Sequence, residues 1–164
     1  MKCHGCLLVV KDVAASKRFY HELFGCTVEL DLDDYVIFKE GIMLQQENTW
    51  LGFIQMRPEA LAYRHNTSEI YFEENDLDAF LDILPTANVR NMSPLAEQEW
   101  GQRSIRFYDP DGHVIEVGEN MSVVIKRFLK SGMTVEETAA KSMFPASFVE
   151  TCLEEMEEMR GATT

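Results

Sequence analysis

The pattern of apolar and polar positions in the first fifty residues predicts one helix among short strands. Residues 7–10 form an apolar run that suits a strand, and Asp12 follows as the N-cap of a helix over Val13–Phe24 that Gly25 ends. Further strand-like stretches lie at 27–30, 35–38 and 42–45. This half of the chain therefore predicts the order βαβββ.

The same order of elements returns in the second half of the chain. A short strand at 70–72 precedes Asn75 or Asp76 as the helix cap, and the helical pattern of 77–84 ends at Pro85. Strand-like stretches at 104–108 and 114–117 follow, separated by the Asp-Pro-Asp-Gly turn at 109–112. The chain thus contains an internal repeat of two βαβββ units. The connector over 49–67 lacks clean periodicity and is interpreted as part of a binding wall.

The pattern beyond residue 120 is helical. A helix over 122–130 closes at Gly132, Thr134 and Glu137 form a capping box that opens a second helix, and a third helix starts near Pro145. The last two helices have the spacing of a helix-turn-helix. The acidic side chains of the third helix would repel phosphate groups, so packing on the rest of the chain or on a second subunit is the favoured role. These acids are Glu150, Glu154, Glu155, Glu157 and Glu158.

The charge balance narrows the class of partner. The 164 residues include 28 acidic and 15 basic side chains, for a net charge of −13. Such an acidic chain argues against nucleic acid and anionic membranes, and it favours a small molecule that is cationic or metal-bound. The sequence shows no apolar run of membrane-spanning length and no signal peptide, and its four cysteines suit free thiols. We therefore expect a cytoplasmic protein.

The internal repeat singles out four equivalent positions. Counting four residues on from the glycine that opens GIMLQQEN and from the one that opens GHVIEVGEN places Gln45 over Glu116. Counting back seven residues from the helix-cap aspartates places Gly5 over Glu69. Because side chains alternate along a strand, each of these positions shares a face with the residue two places away.

Two segments carry a resemblance to a known family. VVKDVAASKRFYHELFG near the start and WGQRSIRFYDPDGHVIEVGE near the end resemble the vicinal oxygen chelate superfamily, which includes glyoxalase I, bleomycin resistance proteins, fosfomycin resistance enzymes and extradiol dioxygenases. The resemblance covers residues 2 to about 120. It implies an α+β fold in which two βαβββ modules, at about 1–48 and 67–120, form a cup-shaped mixed sheet. Residues 121–164 would then be a helical extension.

The resemblance also implies a divalent metal held by one residue from each of four strands. Carried over to this chain, the ligands are Gln45, Glu69 and Glu116. The fourth position is Gly5, which has no side chain, and the nearest donor, His4, has the wrong parity unless a bulge in the first strand rotates it inward. Oxygen donors of this kind suit Mg²⁺, Mn²⁺ or Ca²⁺, with Ni²⁺ and Zn²⁺ as further candidates. An extradiol iron site is disfavoured, because it would need two histidines.

Two functions of the cup remain open from the sequence, besides a third possibility in which the helical tail has an interaction or regulatory role and the cup serves as a sensor. The leading one, implied by the resemblance, is a glyoxalase-type lyase or isomerase in which Glu116 is catalytic and exchanges a proton next to a metal-chelated oxygen. Tyr71, Trp100 and Arg103 would bind substrate, although Arg103 in a surface salt bridge is an equal alternative. The other function is a metal-free binding protein of the bleomycin-resistance type, whose acidic, aromatic groove captures a cationic compound. Either protein is expected to be a homodimer, because each module exposes a sheet edge.

Overall fold

The first sheet has four strands and one half-exposed face. The computed structural model describes residues 1–161. Its first four strands are β1 (Cys6–Val10), β2 (Val28–Asp31), β3 (Tyr35–Phe38) and β4 (Ile42–Gln46), in the spatial order β1, β4, β3, β2. β1 runs parallel to β4, and Val9 pairs with Gln45, whereas the other pairs are antiparallel. Side chains alternate between buried and half-buried along β1 and β3, so the two faces of the sheet differ.

Two helices accompany the first sheet. The first, α1 (Val13–Phe24), begins where the Asp12 side chain accepts from the backbone N–H of Ala15, and it ends at Gly25 with φ of 67°. It packs on the buried face, where Tyr20 meets Phe38 with ring centroids 6.0 Å apart. The second, α2 (Glu47–Ile54), contacts β1 and β4. The connector thus contains a helix that the sequence pattern did not predict.

The second sheet repeats the arrangement. Its strands are β5 (Glu69–Glu74), β6 (Arg90–Glu97), β7 (Arg103–Tyr108) and β8 (Val114–Glu119), in the order β5, β8, β7, β6. Between β5 and β6 the chain forms α3 (Leu77–Ile83) and a 3-10 turn over Leu84–Ala87. The predicted α+β fold with two βαβββ modules is confirmed. The edge strand β6 was not found from the sequence, because nearly all of its side chains are exposed and it contains Pro94.

Three helices follow the second sheet. They are α4 (Met121–Lys130), α5 (Val135–Ser142) and α6 (Ala146–Gly161). The predicted capping box is confirmed, since the Thr134 hydroxyl and the Glu137 carboxylate bond to each other's backbone N–H groups at the start of α5. Ile125, Val149 and Cys152 form the buried centre of this helical group. The last three residues of the predicted extension, 162–164, lie outside the described residues.

Two units emerge from the contacts within the chain. The first contains residues 1–70, 82–92 and 107–115, and the second contains the remaining described residues. None of the helices described between residues 1 and 161 is long and apolar enough to cross a membrane.

Candidate functional site

A cleft of about 440 Å³ opens on the half-exposed face of the first sheet. We call it the Trp50 cleft. Its strand-borne wall consists of Leu7, Tyr35 and Gln45, and α2 contributes Thr49, Trp50 and Phe53. Leu32 and Asp34, from the turn between β2 and β3, complete it. All of these residues belong to the first unit.

The polar side of the Trp50 cleft is held by hydrogen bonds around Asp34. The Asp34 carboxylate oxygen Oδ2 accepts from the Thr49 hydroxyl at 2.8 Å. The backbone carbonyl of Asp34 accepts from the Gln45 side-chain Nε2 and from the backbone N–H of Gln46, both at 2.8 Å. Gln45 is only 4% exposed. The Asp34 carboxylate is therefore fixed at the edge of the cleft, and the Gln45 amide is oriented by the turn that carries Asp34.

The apolar side of the Trp50 cleft faces solvent to an unusual degree. Phe53 is 68% exposed and Leu32 is 56% exposed, while Trp50 is half-buried. Exposed aromatic groups beside a fixed carboxylate can bind a molecule that is both apolar and positively charged, through contact with the rings and attraction to the carboxylate. Trp50 and Phe53 belong to the connector that was interpreted from the sequence as part of a binding wall, but the helix that carries them to this cleft was not predicted.

Glu116, the predicted catalytic residue, lies in the second unit and is paired with an arginine. It is on β8, is 6% exposed, and forms an ion pair with the guanidinium of Arg106 on β7. The backbone N–H of Asp109 donates to the carbonyl of His113, so counting outward from that pair places Arg106 directly opposite Glu116. A cation is therefore already present at the carboxylate that the metal prediction requires.

Tyr71 and Trp100, predicted to bind substrate, are joined through Gln102. The Gln102 side-chain nitrogen donates to the Tyr71 hydroxyl at 2.8 Å, and its oxygen accepts from the Trp100 indole N–H at 3.1 Å. The Tyr71 ring also lies against Gly118 on β8, where a Cβ would crowd it. Burial raises the pKa of the Tyr71 hydroxyl. The structure thus brings two predicted residues together through a buried glutamine that the sequence analysis did not single out.

Arg103 lies within an ionic network of the second unit. Its guanidinium bonds to the buried carboxylate of Glu119, with the shortest contact at 2.6 Å, and to the exposed carboxylate of Asp78 at 2.9 Å. Burial raises the pKa of the Glu119 carboxyl, but the hydrogen bonds from Arg103 outweigh this effect and hold that pKa below its ordinary value. The salt-bridge alternative for Arg103 is therefore the arrangement found.

The remaining predicted ligands are His4, Glu69 and the empty position at Gly5. His4 precedes β1 and is exposed, and Glu69 opens β5 and is also exposed. Gly5 has a φ of 130°, and a Cβ there would overlap the carbonyl oxygen of Gly41. This close backbone approach explains why a side chain is missing at that position.

The predicted metal ligands are divided between the two units. Gln45 and Glu69 lie in the first unit and Glu116 in the second, so their convergence on one cavity stays a prediction. Among residues 1–161, no group of three or more His, Cys, Asp or Glu side chains is placed to hold a metal ion.

Comparison with known proteins identifies relatives of the same fold. Residues 3–122 match the model of the glyoxalase-like domain family. A protein of unknown function from Agrobacterium tumefaciens is 35% identical, with a TM-score of 0.66 over 73% of this chain and 94% of its own. A glyoxalase/bleomycin resistance protein/dioxygenase family enzyme from Burkholderia phytofirmans is 12% identical, with a TM-score of 0.64 over 73% and 98%. A lactoylglutathione lyase from Agrobacterium tumefaciens is 22% identical, with a TM-score of 0.57 over 73% and 94%. No curated protein matches the chain.

Proposed function

The chain belongs to the glyoxalase-like domain family, and we propose that it binds a small organic cation in the Trp50 cleft, without a resident metal ion. The family belongs to the vicinal oxygen chelate superfamily, which contains glyoxalase-like enzymes and resistance proteins. Of these two kinds of function, enzyme and resistance protein, we favour ligand binding over metal-assisted chemistry. The observation that carries it is the fixed Asp34 carboxylate in the same cleft as the half-buried Trp50 and the exposed Phe53.

The donor set argues against a resident metal. Glu116 is already paired with the Arg106 guanidinium. A divalent ion at Glu116 would have to approach a fixed positive charge, which raises the electrostatic cost of binding. Gly5 supplies no ligand, so the residues present do not fit the four-ligand site that the superfamily implies.

The chemistry of the Trp50 cleft favours a cationic ligand. Asp34 supplies one negative charge, and the faces of Trp50 and Tyr35 can attract a positive group electrostatically as well as bury its apolar parts. The net charge of −13 raises the local concentration of cations and repels anions at long range. A molecule with an aromatic or branched apolar body and an ammonium group matches these features.

The rival proposal is the glyoxalase-type lyase or isomerase predicted from the resemblance. It would use Glu116 to move a proton next to a chelated substrate oxygen. That role needs a carboxylate that can approach the substrate and take its proton, whereas the Glu116 carboxylate already forms an ion pair with the Arg106 guanidinium. The likeness to the lactoylglutathione lyase is below 25% identity and supports the shared fold. We therefore place this function second.

A test of the proposed function uses benzyltrimethylammonium and its uncharged isostere neopentylbenzene. Calorimetry should show that the protein binds the cation at least about tenfold more tightly than the isostere, because only the cation gains from Asp34 and from the ring faces. Asp34→Asn should remove most of that preference, since the amide can still accept from the Thr49 hydroxyl while the charge is lost. Trp50→Ala should weaken the binding of both compounds.

A matched control keeps the result specific. Asp33 precedes Asp34, is exposed and does not line the cleft. Asp33→Asn removes the same amount of charge and should leave both affinities unchanged. Equal affinity of the unmodified protein for the cation and its isostere would contradict the proposal, and so would an equal effect of the two substitutions.

We also propose that the chain forms a homodimer. The edge strands β2 and β6 present apolar side chains to solvent, among them Leu30 at 40%, Met92 at 41% and Leu95 at 40% exposure. Sheet edges of this kind are commonly covered by pairing. Sedimentation equilibrium at micromolar concentration should give twice the 18.8 kDa mass of the chain, and a monomer mass would refute the dimer.

The cytoplasmic location remains a prediction. The structure supports it through the cysteines, since Cys3, Cys6, Cys26 and Cys152 are all free thiols, as a reducing compartment would keep them.

A further inference from the structure

A second cleft lies beside β1 and carries two histidines. It has a volume of about 230 Å³, and we call it the His113 cleft. Its lining includes Leu7, Val9, Tyr63, His65, Ser68 and His113. All of these residues belong to the first unit, and only Leu7 is shared with the Trp50 cleft. No sequence pattern groups His65 with His113, since only the fold brings them to one cleft.

The proton position on His113 is fixed by Asp109. The Asp109 side chain is fully buried, and its Oδ1 accepts from the backbone N–H groups of residues 111, 112 and 113. Its Oδ2 accepts from the Tyr20 hydroxyl at 3.0 Å and lies 2.8 Å from His113 Nδ1. A carboxylate with this many donors acts only as an acceptor, so His113 Nδ1 carries the hydrogen. In the neutral ring, the lone pair is therefore on Nε2.

On His65 the hydrogen of the neutral ring is on the other nitrogen, Nε2. The backbone N–H of Thr67 donates to His65 Nδ1 at 3.3 Å, and the Thr67 hydroxyl lies 2.7 Å from the same atom. Because Nδ1 accepts, the hydrogen of the neutral ring is on Nε2. Among residues 1–161, the hydrogen bonds of these two rings involve Nδ1, and neither Nε2 atom has a hydrogen-bond partner. The lining of the cleft thus includes one imidazole that accepts and one that donates.

We propose that the His113 cleft binds weakly acidic hydroxyl compounds such as phenols or enols, and that His113 accepts the hydroxyl proton. The O–H bond of the ligand breaks and an N–H bond forms at Nε2, which leaves an imidazolium beside Asp109 and an oxyanion on the ligand. The His65 Nε2–H can donate to that oxyanion. Leu7, Val9 and the Tyr63 ring provide apolar walls for the ring of the ligand.

The surrounding charges are compatible with this proton transfer. Asp109 and Asp111 are the acids of the turn that precedes β8: Asp109 lies against His113 Nδ1, and Asp111 accepts from the backbone N–H of Lys11, just after β1. The Lys11 ammonium sits 4.5 Å from the centroid of the Tyr63 ring, which lines the cleft, and the Arg64 side chain lies against Gly112, next to His113 in the chain. Glu47 is the other acid nearby, and its carboxylate is bonded to the Tyr63 hydroxyl at 2.9 Å. The Asp–His arrangement is the one that proteins use to orient a proton-accepting imidazole.

The test uses 4-nitrophenol, whose ionised form absorbs at longer wavelength than its neutral form. At a pH where the free compound is partly ionised, the bound compound should show a ratio of phenolate to phenol about tenfold higher than the free compound. This absorbance measurement is made on the unmodified protein, so it does not depend on any variant folding. Binding without an increase in phenolate, or no binding at millimolar concentration, would overturn the proposal.

Variants and a second compound assign the effect to His113. His113→Gln should abolish the increase in phenolate, whereas His65→Gln should lower affinity and leave part of the increase. The methyl ether 4-nitroanisole has no proton to give, so its affinity should be equal for the unmodified protein and His113→Gln. His21→Gln, on α1 outside the cleft, is the matched control and should change neither property. A phenolate increase that persists in His113→Gln would contradict the role of this residue. Since the Trp50 cleft is probed with a cation, failure of one proposal does not imply failure of the other.

Discussion

Replacing Asp109 with alanine is expected to lower the free energy of unfolding by about 3–5 kcal/mol. The substitution removes the acceptor of three backbone N–H groups in the turn before β8 and of the buried Tyr20 hydroxyl on α1. The backbone N–H groups of residues 111 and 113 and the Tyr20 hydroxyl would lose this acceptor, whereas the N–H of Gly112 would keep its bond to the carbonyl of residue 109. Donors left unpaired in a buried region are costly. Because the carboxylate connects the turn to α1, its loss should weaken the first unit as a whole.

Urea unfolding of three variants, each compared with the unmodified protein, measures this loss of stability; the variants are Asp109→Ala, Tyr20→Phe and Asp109→Asn. Tyr20→Phe removes one of the same hydrogen bonds without disturbing the turn, and we expect it to cost only about 1 kcal/mol. The loss for Asp109→Asn should fall between those for Asp109→Ala and Tyr20→Phe, since the asparagine side-chain oxygen can still accept from the N–H groups of the turn. A loss for Asp109→Ala no larger than that for Tyr20→Phe, at an unchanged dependence on urea, would show that the turn does not need this carboxylate.

The elements that were predicted well have strong local patterns. The bounds of α1 follow from an apolar periodicity between Asp12 and Gly25, and those of α5 begin at the Thr134 capping box. These features depend on residues close together in the chain, so the sequence shows them directly. The repeat of two βαβββ units has the same origin, because each unit carries its own caps and turns.

The elements that were missed have weak local patterns. In α2 only Leu51 is buried, and the N-cap Gln46 makes no side-chain hydrogen bond, so neither periodicity nor a cap marked the helix. In β6 every side chain except that of Ser93 is exposed, and the strand is held by backbone pairing with β7. Elements that depend on a neighbour rather than on their own side chains are hard to recognise from sequence.

In the candidate sites, too, the contacts set by a nearby turn could be predicted from the sequence, and those set by packing between distant segments could not. The register of the β7–β8 hairpin follows from its turn, and counting outward from it pairs Arg106 with Glu116 and Arg103 with Glu119. Both ion pairs were therefore within reach of the sequence. The Trp50 cleft and the meeting of His65 with His113 were not, because they depend on how the connector packs against β1 and β4.

The pairing of Arg106 with Glu116 leads to the second large effect that we expect. Arg106→Gln should lower the free energy of unfolding by about 3 kcal/mol, because it leaves the nearly buried carboxylate of Glu116 without its cation. The double variant Arg106→Gln with Glu116→Gln has no buried charge at this pair, and it should recover part of the loss. Urea unfolding of the two single variants and the double variant measures the coupling between the side chains.

The same variants decide whether the site is independent of metal. Calorimetric titration of the metal-stripped protein with millimolar Mn²⁺, Ni²⁺, Zn²⁺ or Mg²⁺ should give no saturable heat and no rise in melting temperature, because Arg106 already neutralises Glu116. Arg106→Gln exposes the carboxylate to an ion, and millimolar Mn²⁺ should raise the melting temperature of this variant but not that of the double variant. Saturable binding to the unmodified protein that Glu116→Gln abolishes would contradict our proposal and restore the metal-assisted lyase or isomerase. If Arg106→Gln binds none of the four ions, Arg106 is not the group that excludes metal from this site.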